Sequence, residues 1–303
     1  MSDPVSDSDG ARLLHPQHPL ELRKLETDQP ISVVCEQVKQ RNWSRVAIGY
    51  ETSVHQGKPI FLKQFVDRRG QWHLDQYEDE YKAIAKAKEL FSPSANIPTP
   101  TYKNLELQVI GFDYFRMTTI DVVLRSTNDS DICSHAFDYV LAASCQFLET
   151  LKSTDEENQT GQNSPVFRGF DIRNIGIPGT TPELLWNERP YLFDFGTYRK
   201  GSHQEAAARI LVSVGMLNWG RPLDRFIRGP DATYFHQSVA KLAPYLSRSR
   251  LLERLTHEYE HRRKDVQGAN WLQRQLKRLG LYTIGYVYVR RLRALIRKAS
   301  MPA

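Results

Sequence analysis

Apolar residues early in the chain fall into short runs with strand character. ISVVCEQV (31–38), RVAIGYETSV (45–54) and PIFLKQFV (59–66) are rich in β-branched and aromatic residues, and HQGK, with Gly57, separates the last two as a turn. These runs predict an antiparallel meander. From Leu74 to Leu90, the residues Tyr77, Tyr81, Ile84, Ala85 and Leu90 recur at helical spacing among charges, and the prolines of SPSANIPTP stop the run. LELQVIGFD and YFRMTTI return to strand character. DICSHAFDYVLAASCQFLETLK then carries a helical stripe of Phe137, Val140, Leu141, Ser144, Phe147, Leu148 and Leu151 that predicts a buried helix. STDEENQTGQNSP has no period and reads as a flexible surface loop. NIGI and YLFDFG bracket an excursion containing Pro and Gly as a second hairpin, and from Gln204 onward the pattern is mostly helical.

A chain of 303 residues with 40% hydrophobic content buries a real core, which excludes disorder throughout. The opening MSDPVSDSDG is acidic and serine-rich, unlike a secretory signal, and residues 1–30 read as a disordered tail. No stretch approaches the roughly 18 apolar residues of a spanning helix. Cys35, Cys133 and Cys145 stand far apart without C-x-x-C spacing, which fits a reduced, cytoplasmic setting. His15 and His18 have no Cys or carboxylate cluster at ligand spacing, so no structural metal is assigned to them.

Net charge is +6, but residues 261–303 hold eleven Lys or Arg against the single acid Asp265. The basicity therefore belongs to the tail and points to an anionic partner. Two amphipathic pieces, broken at Gly280, carry it. Trp271, Leu272, Leu276 and Leu279 line up beside Arg274, Lys277 and Arg278, and then Leu281, Ile284, Tyr288, Leu292, Leu295 and Ile296 beside Arg290, Arg293 and Arg297. Such a face suits an anionic membrane surface, with the protein peripheral on the inner face of the membrane, or else docks on the neighbouring helices. The aromatics lie on the apolar face rather than among the cations, so nucleic acid is not the expected partner.

Four motifs stand in a recognisable order. YLFDFG places Asp194, Phe195 and Gly196 after an apolar strand; Lys63 sits between apolar residues in PIFLKQF; Glu80, with Glu78 as the competing choice, lies in the helix DEYKAIAKAKEL before IPTP; and RGFDIRNIGI carries Asp171 and Asn174 ahead of a strand. From about Ile31 to about Pro230 the chain resembles the protein-kinase-like superfamily, nearest its aminoglycoside-phosphotransferase and lipopolysaccharide-kinase branches. The resemblance implies an α+β, bilobal protein-kinase-like fold, with a small antiparallel-sheet N-lobe carrying one helix (31–118), a mostly helical C-lobe (119–260) and a basic helical tail (261–303).

The resemblance also implies chemistry: ATP with Mg²⁺ as cofactors, Lys63 on the phosphates with Glu80 orienting it, Asp194 and Asn174 as metal ligands, and Asp171 as catalytic base. Where a Gly-rich phosphate loop is usual the chain has KQRNWSR, so Arg41 and Arg45 are candidates to neutralise phosphate instead. Only Ile172 and Arg173 separate Asp171 from Asn174, a loop two residues shorter than usual, and Gly169 replaces the customary His. Trp219, Arg221 and Arg225 are candidates for an acceptor site. The implied function is phosphotransfer to a hydroxyl of a small molecule or glycan, lipid-linked or connected with envelope polysaccharide. A nucleotide-binding pseudokinase scaffold and a kinase-fold enzyme transferring AMP are the alternatives. No Ala-Pro-Glu follows the Asp-Phe-Gly, which disfavours a protein substrate.

Overall fold

A computed structural model of the chain describes residues 14–302 except position 17, the segments 41–43, 54–56, 67–70, 158–163, 221–228 and 265–270, and positions 168 and 197. The chain divides into two compact units, residues 1–89 with 97–116 and residues 90–96 with 117–303. The α+β class expected from the sequence holds, the first unit being built on a sheet and the second mostly on helices.

In the first unit, β1 (Pro19–Lys24), β2 (Pro30–Gln40), β3 (Arg45–Glu51), β4 (Pro59–Gln64), β5 (Pro100–Asn104) and β6 (Val109–Asp113) close into a barrel in the order β1-β2-β3-β4-β6-β5. The interior follows the period-two alternation of a strand: Leu20 and Leu22, then Ile31, Val33 and Cys35, then Ile60 and Leu62, form one buried cluster. Residues 19–24, expected in a disordered tail, instead form the first strand, with Leu22 opposite Ile31 and Leu20 opposite Val33. Burial of those two leucines stabilises it. Gln64, fully buried at the barrel end, accepts from Leu14 N at 2.9 Å and donates to Leu107 O at 3.1 Å, which ties down the segment before β1. The helix α1 (Leu74–Phe91) presents Tyr77, Glu80, Ala83, Ile84 and Ala87 on its buried face.

The second unit begins with β7 (Met117–Thr119) and α2 (Ile120–Ser126), followed by the long α3 (Ser130–Glu157). The segment STDEE, expected in a loop, continues α3 as helix; Asp155 near its end is buried and accepts from the backbone nitrogen of His203 at 2.9 Å. After β8 (Ser164–Phe167), the strands β9 (Ile175–Thr180), β10 (Glu183–Leu184) and β11 (Tyr191–Leu192) form the expected hairpin, with Tyr191 opposite Gly176 and Leu192 opposite Ile175. β12 (Tyr198–Gly201) pairs with β8.

The helices α4 (His203–Gly215), α5 (Ala232–Leu242) and α6 (Arg248–Lys264) follow. The expected boundary at residue 260 falls inside α6, so Arg262 belongs to that helix rather than to a separate tail. Helix α7 (Trp271–Gly280) runs without a break at Gly280 into a π-helical turn (Leu281–Gly285) and α8 (Tyr286–Lys298). The two amphipathic pieces have different fates. Tyr288, Val289, Leu292 and Ile296 of α8 are buried, with Tyr288 Oη donating to Gly215 O at 2.6 Å. The helices approach closely there, since a Cβ at Gly215 would lie 2.7 Å from a Leu292 methyl. In α7, Trp271, Leu272, Leu276 and Leu279 remain exposed.

Candidate functional site

In the first unit, Lys63 lies on β4 between the barrel-facing Leu62 and Gln64, so alternation turns it out of the barrel. Glu80 occupies the buried stripe of α1, three residues from Tyr77 and four from Ile84, a position normally apolar. Lys63 Nζ donates to Glu80 Oε2 at 3.1 Å, with the two side chains only 12% and 4% exposed, and the ammonium lies 5.3 Å from the Phe65 ring centroid. Glu78, the competing choice, faces solvent beside Lys82. The paired charges fix Lys63's head group, the arrangement needed to meet an anion without reorganising.

Arg45 is committed elsewhere. Its Nε donates to Gln40 Oε1 at 3.0 Å and its terminal nitrogen to Leu14 O at 2.9 Å, so it braces the chain start, while burial pulls its pKa down. Arg41 lies outside the described residues.

In the second unit, Asp171 and Asn174 lie on the loop after β8, and Asp194 follows β11, the strand paired with β9 beside Asn174. Asp171 caps a single 3₁₀ turn (Ile172–Asn174), its Oδ1 accepting from Arg173 N at 2.9 Å. The turn is anchored by Ile172, fully buried, whose N–H donates to Ser213 Oγ of α4 at 3.0 Å. Asn174 leads directly into β9, and Phe193 N donates to its carbonyl at 3.2 Å, which sets Asp194 beside it. Asp194, an exposed residue, adopts φ +55°, a left-handed conformation that Asp tolerates better than most residues. Phe195 is buried against Phe167, ring centroids 5.4 Å apart.

The missing histidine has a steric reason. Gly169 N donates to Phe195 O at 3.0 Å, and a Cβ on residue 169 would lie 1.7 Å from the Asp194 carbonyl oxygen. The two-residue shortening thus pulls position 169 against the backbone of the Asp-Phe-Gly turn, where only glycine fits. Gly169 O in turn accepts from Asn174 Nδ2 at 2.8 Å, which leaves the amide oxygen as the atom a metal would take. A carboxylate and an amide oxygen are the hard donors Mg²⁺ prefers.

Asp171 is held by a residue that the sequence motifs did not single out. Arg173 Nε donates to its Oδ1 at 2.9 Å and a terminal nitrogen to Oδ2, a two-pronged clamp. Burial raises the Asp171 pKa, but the Arg173 charge and its bonds, reinforced by Arg262, outweigh that and hold the carboxyl below the usual carboxylate range. A cavity of about 400 Å³ opens on Asp171, walled by Val166 and Phe170, by Arg209 and Ser213 of α4 and Met216 just after it, and by residues of α6. Trp219, a sequence candidate for the acceptor site, instead packs on Tyr288 and Tyr259; Arg221 and Arg225 lie outside the described residues.

No protein-family model and no curated protein matches the sequence. Among solved structures, the chain is similar to the ROP18 kinase domain in complex with AMP-PNP and sucrose, at 12% identity over 95% of this chain and 87% of that one, with a TM-score of 0.43. It is likewise similar to ROP2 from Toxoplasma gondii, described as a virulence factor with a protein-kinase fold and no enzymatic activity, at 11% identity, 95% and 89% coverage and a TM-score of 0.43. The choline kinase LicA from Streptococcus pneumoniae is a third, at 10% identity, 86% and 87% coverage and a TM-score of 0.39.

Proposed function

We propose that the chain is an ATP- and Mg²⁺-dependent phosphotransferase of kinase-like fold acting on a hydroxyl of a small molecule or glycan. The observation that carries this reading is that Asn174 and Asp194 stand side by side on the backbone of one hairpin, the Asn174 carbonyl accepting from Phe193 N, with Asp171 three residues before Asn174 in the same loop. Asp194 and Asn174 would hold Mg²⁺, which supplies charge neutralisation at the phosphates when bound. Lys63, preset by Glu80, would pair with the phosphates. In the transfer, the acceptor oxygen forms a bond to the γ-phosphorus as the β,γ-bridging P–O bond breaks; ADP leaves with that electron pair, and the acceptor's proton passes to Asp171 or to solvent.

Calorimetry with ATP in the presence and absence of Mg²⁺ tests the site. Affinity should fall tenfold or more in Lys63→Ala, Asp194→Asn and without metal; equal affinity across these conditions would remove the site. A nucleotide-binding scaffold without transfer is favoured by one observation, the Arg173 clamp on Asp171. Tight Mg²⁺-ATP binding with no turnover on any hydroxyl acceptor would select it.

The α7 stripe supports work at an anionic bilayer surface: Trp271 and Leu276 are 66% and 59% exposed, and Arg274, Lys277 and Arg278 lie on the same short helix. No helix among the described residues is long and apolar enough to cross a membrane. Sedimentation with phosphatidylcholine vesicles containing phosphatidylglycerol should be lost in Trp271→Ser/Leu276→Ser and weakened by salt, with the melt unchanged. Undiminished sedimentation of that variant excludes α7 as the contact.

A further inference from the structure

The cavity beside Asp171 carries a charge pattern that phosphotransfer to a neutral hydroxyl does not need. Arginines reach it from three elements: Arg199 from β12, Arg209 from α4, and Arg254 and Arg262 from α6. The carboxylates that meet them are shared. Glu205 accepts from both Arg199 and Arg209, and Glu258 from both Arg254, at 2.9 Å, and Arg262, at 2.8 Å. With Arg173 on Asp171, five guanidiniums stand against three carboxylates in one small volume.

A solvated ladder of surface ion pairs does not look like this, because its charges pair one to one and face water. Here Arg209 and Arg254 are only 14% and 16% exposed. Burial, together with the repulsion of Arg254, lowers the Arg209 pKa to about 10, and burial lowers that of Arg254. The Nε–H of Arg254 is buried without a hydrogen-bond partner among the described residues. Each guanidinium offers five N–H donors; one terminal nitrogen of Arg254 reaches Glu258 and the other lies 3.2 Å from His257 Nδ1. Buried, crowded cations around one cavity form a site for an anion, and clustered planar forks suit phosphate oxygens best.

We propose that this cavity is the acceptor site and that the acceptor is a phosphate-bearing polyol or sugar, its phosphate held by Arg209, Arg254 and Arg262 and its free hydroxyl presented to Asp171. This rests on the phosphotransferase reading for the role of Asp171, but not for the anion site itself. The carbon skeleton has an apolar wall to lie on, formed by Val166, Phe170, Val212 and Met216. The same chemistry is offered by a free phosphorylated metabolite and by a phospholipid head group.

The experiment is calorimetric titration of the full chain, without nucleotide, with inorganic phosphate, glycerol 3-phosphate, glycerol, and phosphatidylcholine vesicles with and without phosphatidylglycerol. Inorganic phosphate and glycerol 3-phosphate should bind and glycerol should not. Arg209→Gln and the more exposed Arg262→Gln should each weaken binding at least tenfold, the loss expected for a charge-assisted bond. Arg262→Gln keeps the test open if Arg209→Gln fails to fold. Competition by glycerol 3-phosphate against the phosphatidylglycerol vesicles identifies the head group as source; binding of the soluble compound alone identifies a free metabolite. Absence of phosphate binding, or equal binding by both variants, overturns the proposal. Arginine-dependent phosphate binding in a protein that neither binds Mg²⁺-ATP nor turns it over keeps the anion site and discards phosphotransfer.

Discussion

Replacing Lys63 by Met should cost the first unit about 3–5 kcal/mol, because it takes the ammonium away from the Glu80 carboxylate, which is only 4% exposed. Glu80→Leu should cost less. The ammonium it leaves behind is 12% exposed and keeps the Phe65 ring at 5.3 Å. The double replacement Lys63→Met/Glu80→Leu removes both charges and fills the space with apolar atoms, so it should lie within about 1 kcal/mol of wild type. The assay is urea unfolding followed by tryptophan fluorescence and far-ultraviolet circular dichroism. At an m-value of roughly 2 kcal/mol/M, a loss of about 3 kcal/mol moves the midpoint by about 1.5 M. Additive losses in the double variant would show that the two side chains are not coupled, and the pair could not then be what presets Lys63.

Asp171→Asn should leave Mg²⁺-ATP affinity nearly unchanged while lowering turnover roughly 10²-fold or more; an equal loss of both would make Asp171 part of the metal site instead. Gly169→Ala should abolish Mg²⁺-ATP binding, since its Cβ needs the space of the Asp194 carbonyl oxygen, and a variant binding as wild type would contradict the packing described for that turn. The Asp171–Arg173 clamp, which depresses the carboxyl's pKa, stabilises the fold above the unfolded value of about 3.9 and is lost as pH falls through the folded value. Arg173→Ala should therefore destabilise at neutral pH and lose that deficit on acidification, and a penalty that does not change with pH would refute the linkage. Tyr288→Phe should cost about 1 kcal/mol by leaving Gly215 O unpaired, measured by thermal melting; no change would argue that α8 does not depend on this bond.

Local patterns recovered those elements whose own sequence carries the period. The strands around Lys63, the helix of Glu80 and the hairpin joining Asn174 to Asp194 were legible because alternation and stripes within each segment determine which face is buried. Even the choice of Glu80 over Glu78 follows from its distance to Tyr77 and Ile84. β1 was missed because PLELRK is short and charged, and its alternation acquires meaning only through partners such as Ile31 and Val33.

The arginine cavity was illegible for a similar reason. Arg254, Glu258 and Arg262 at four-residue spacing read like any solvated helix face. Only the pairing of β12 with β8 and the packing of α4 against α6 bring Arg199 and Arg209 opposite them. The clamp on Asp171 could have been suspected from an Arg two residues after a candidate base, but nothing local says which way either side chain turns.

Closure of the barrel by β1 against β5 leaves the first unit's sheet with no edge strand among its described members. An open sheet offers its outermost backbone N–H and C=O groups to any extended chain, and that template is the usual route to strand addition and to edge-to-edge aggregation. Here β1 covers the rims of β2 and β5 over the positions at which they pair. Removing residues 19–24 would expose the rims of β2 and β5 at once, turning a closed sheet into one with two edges open to another strand.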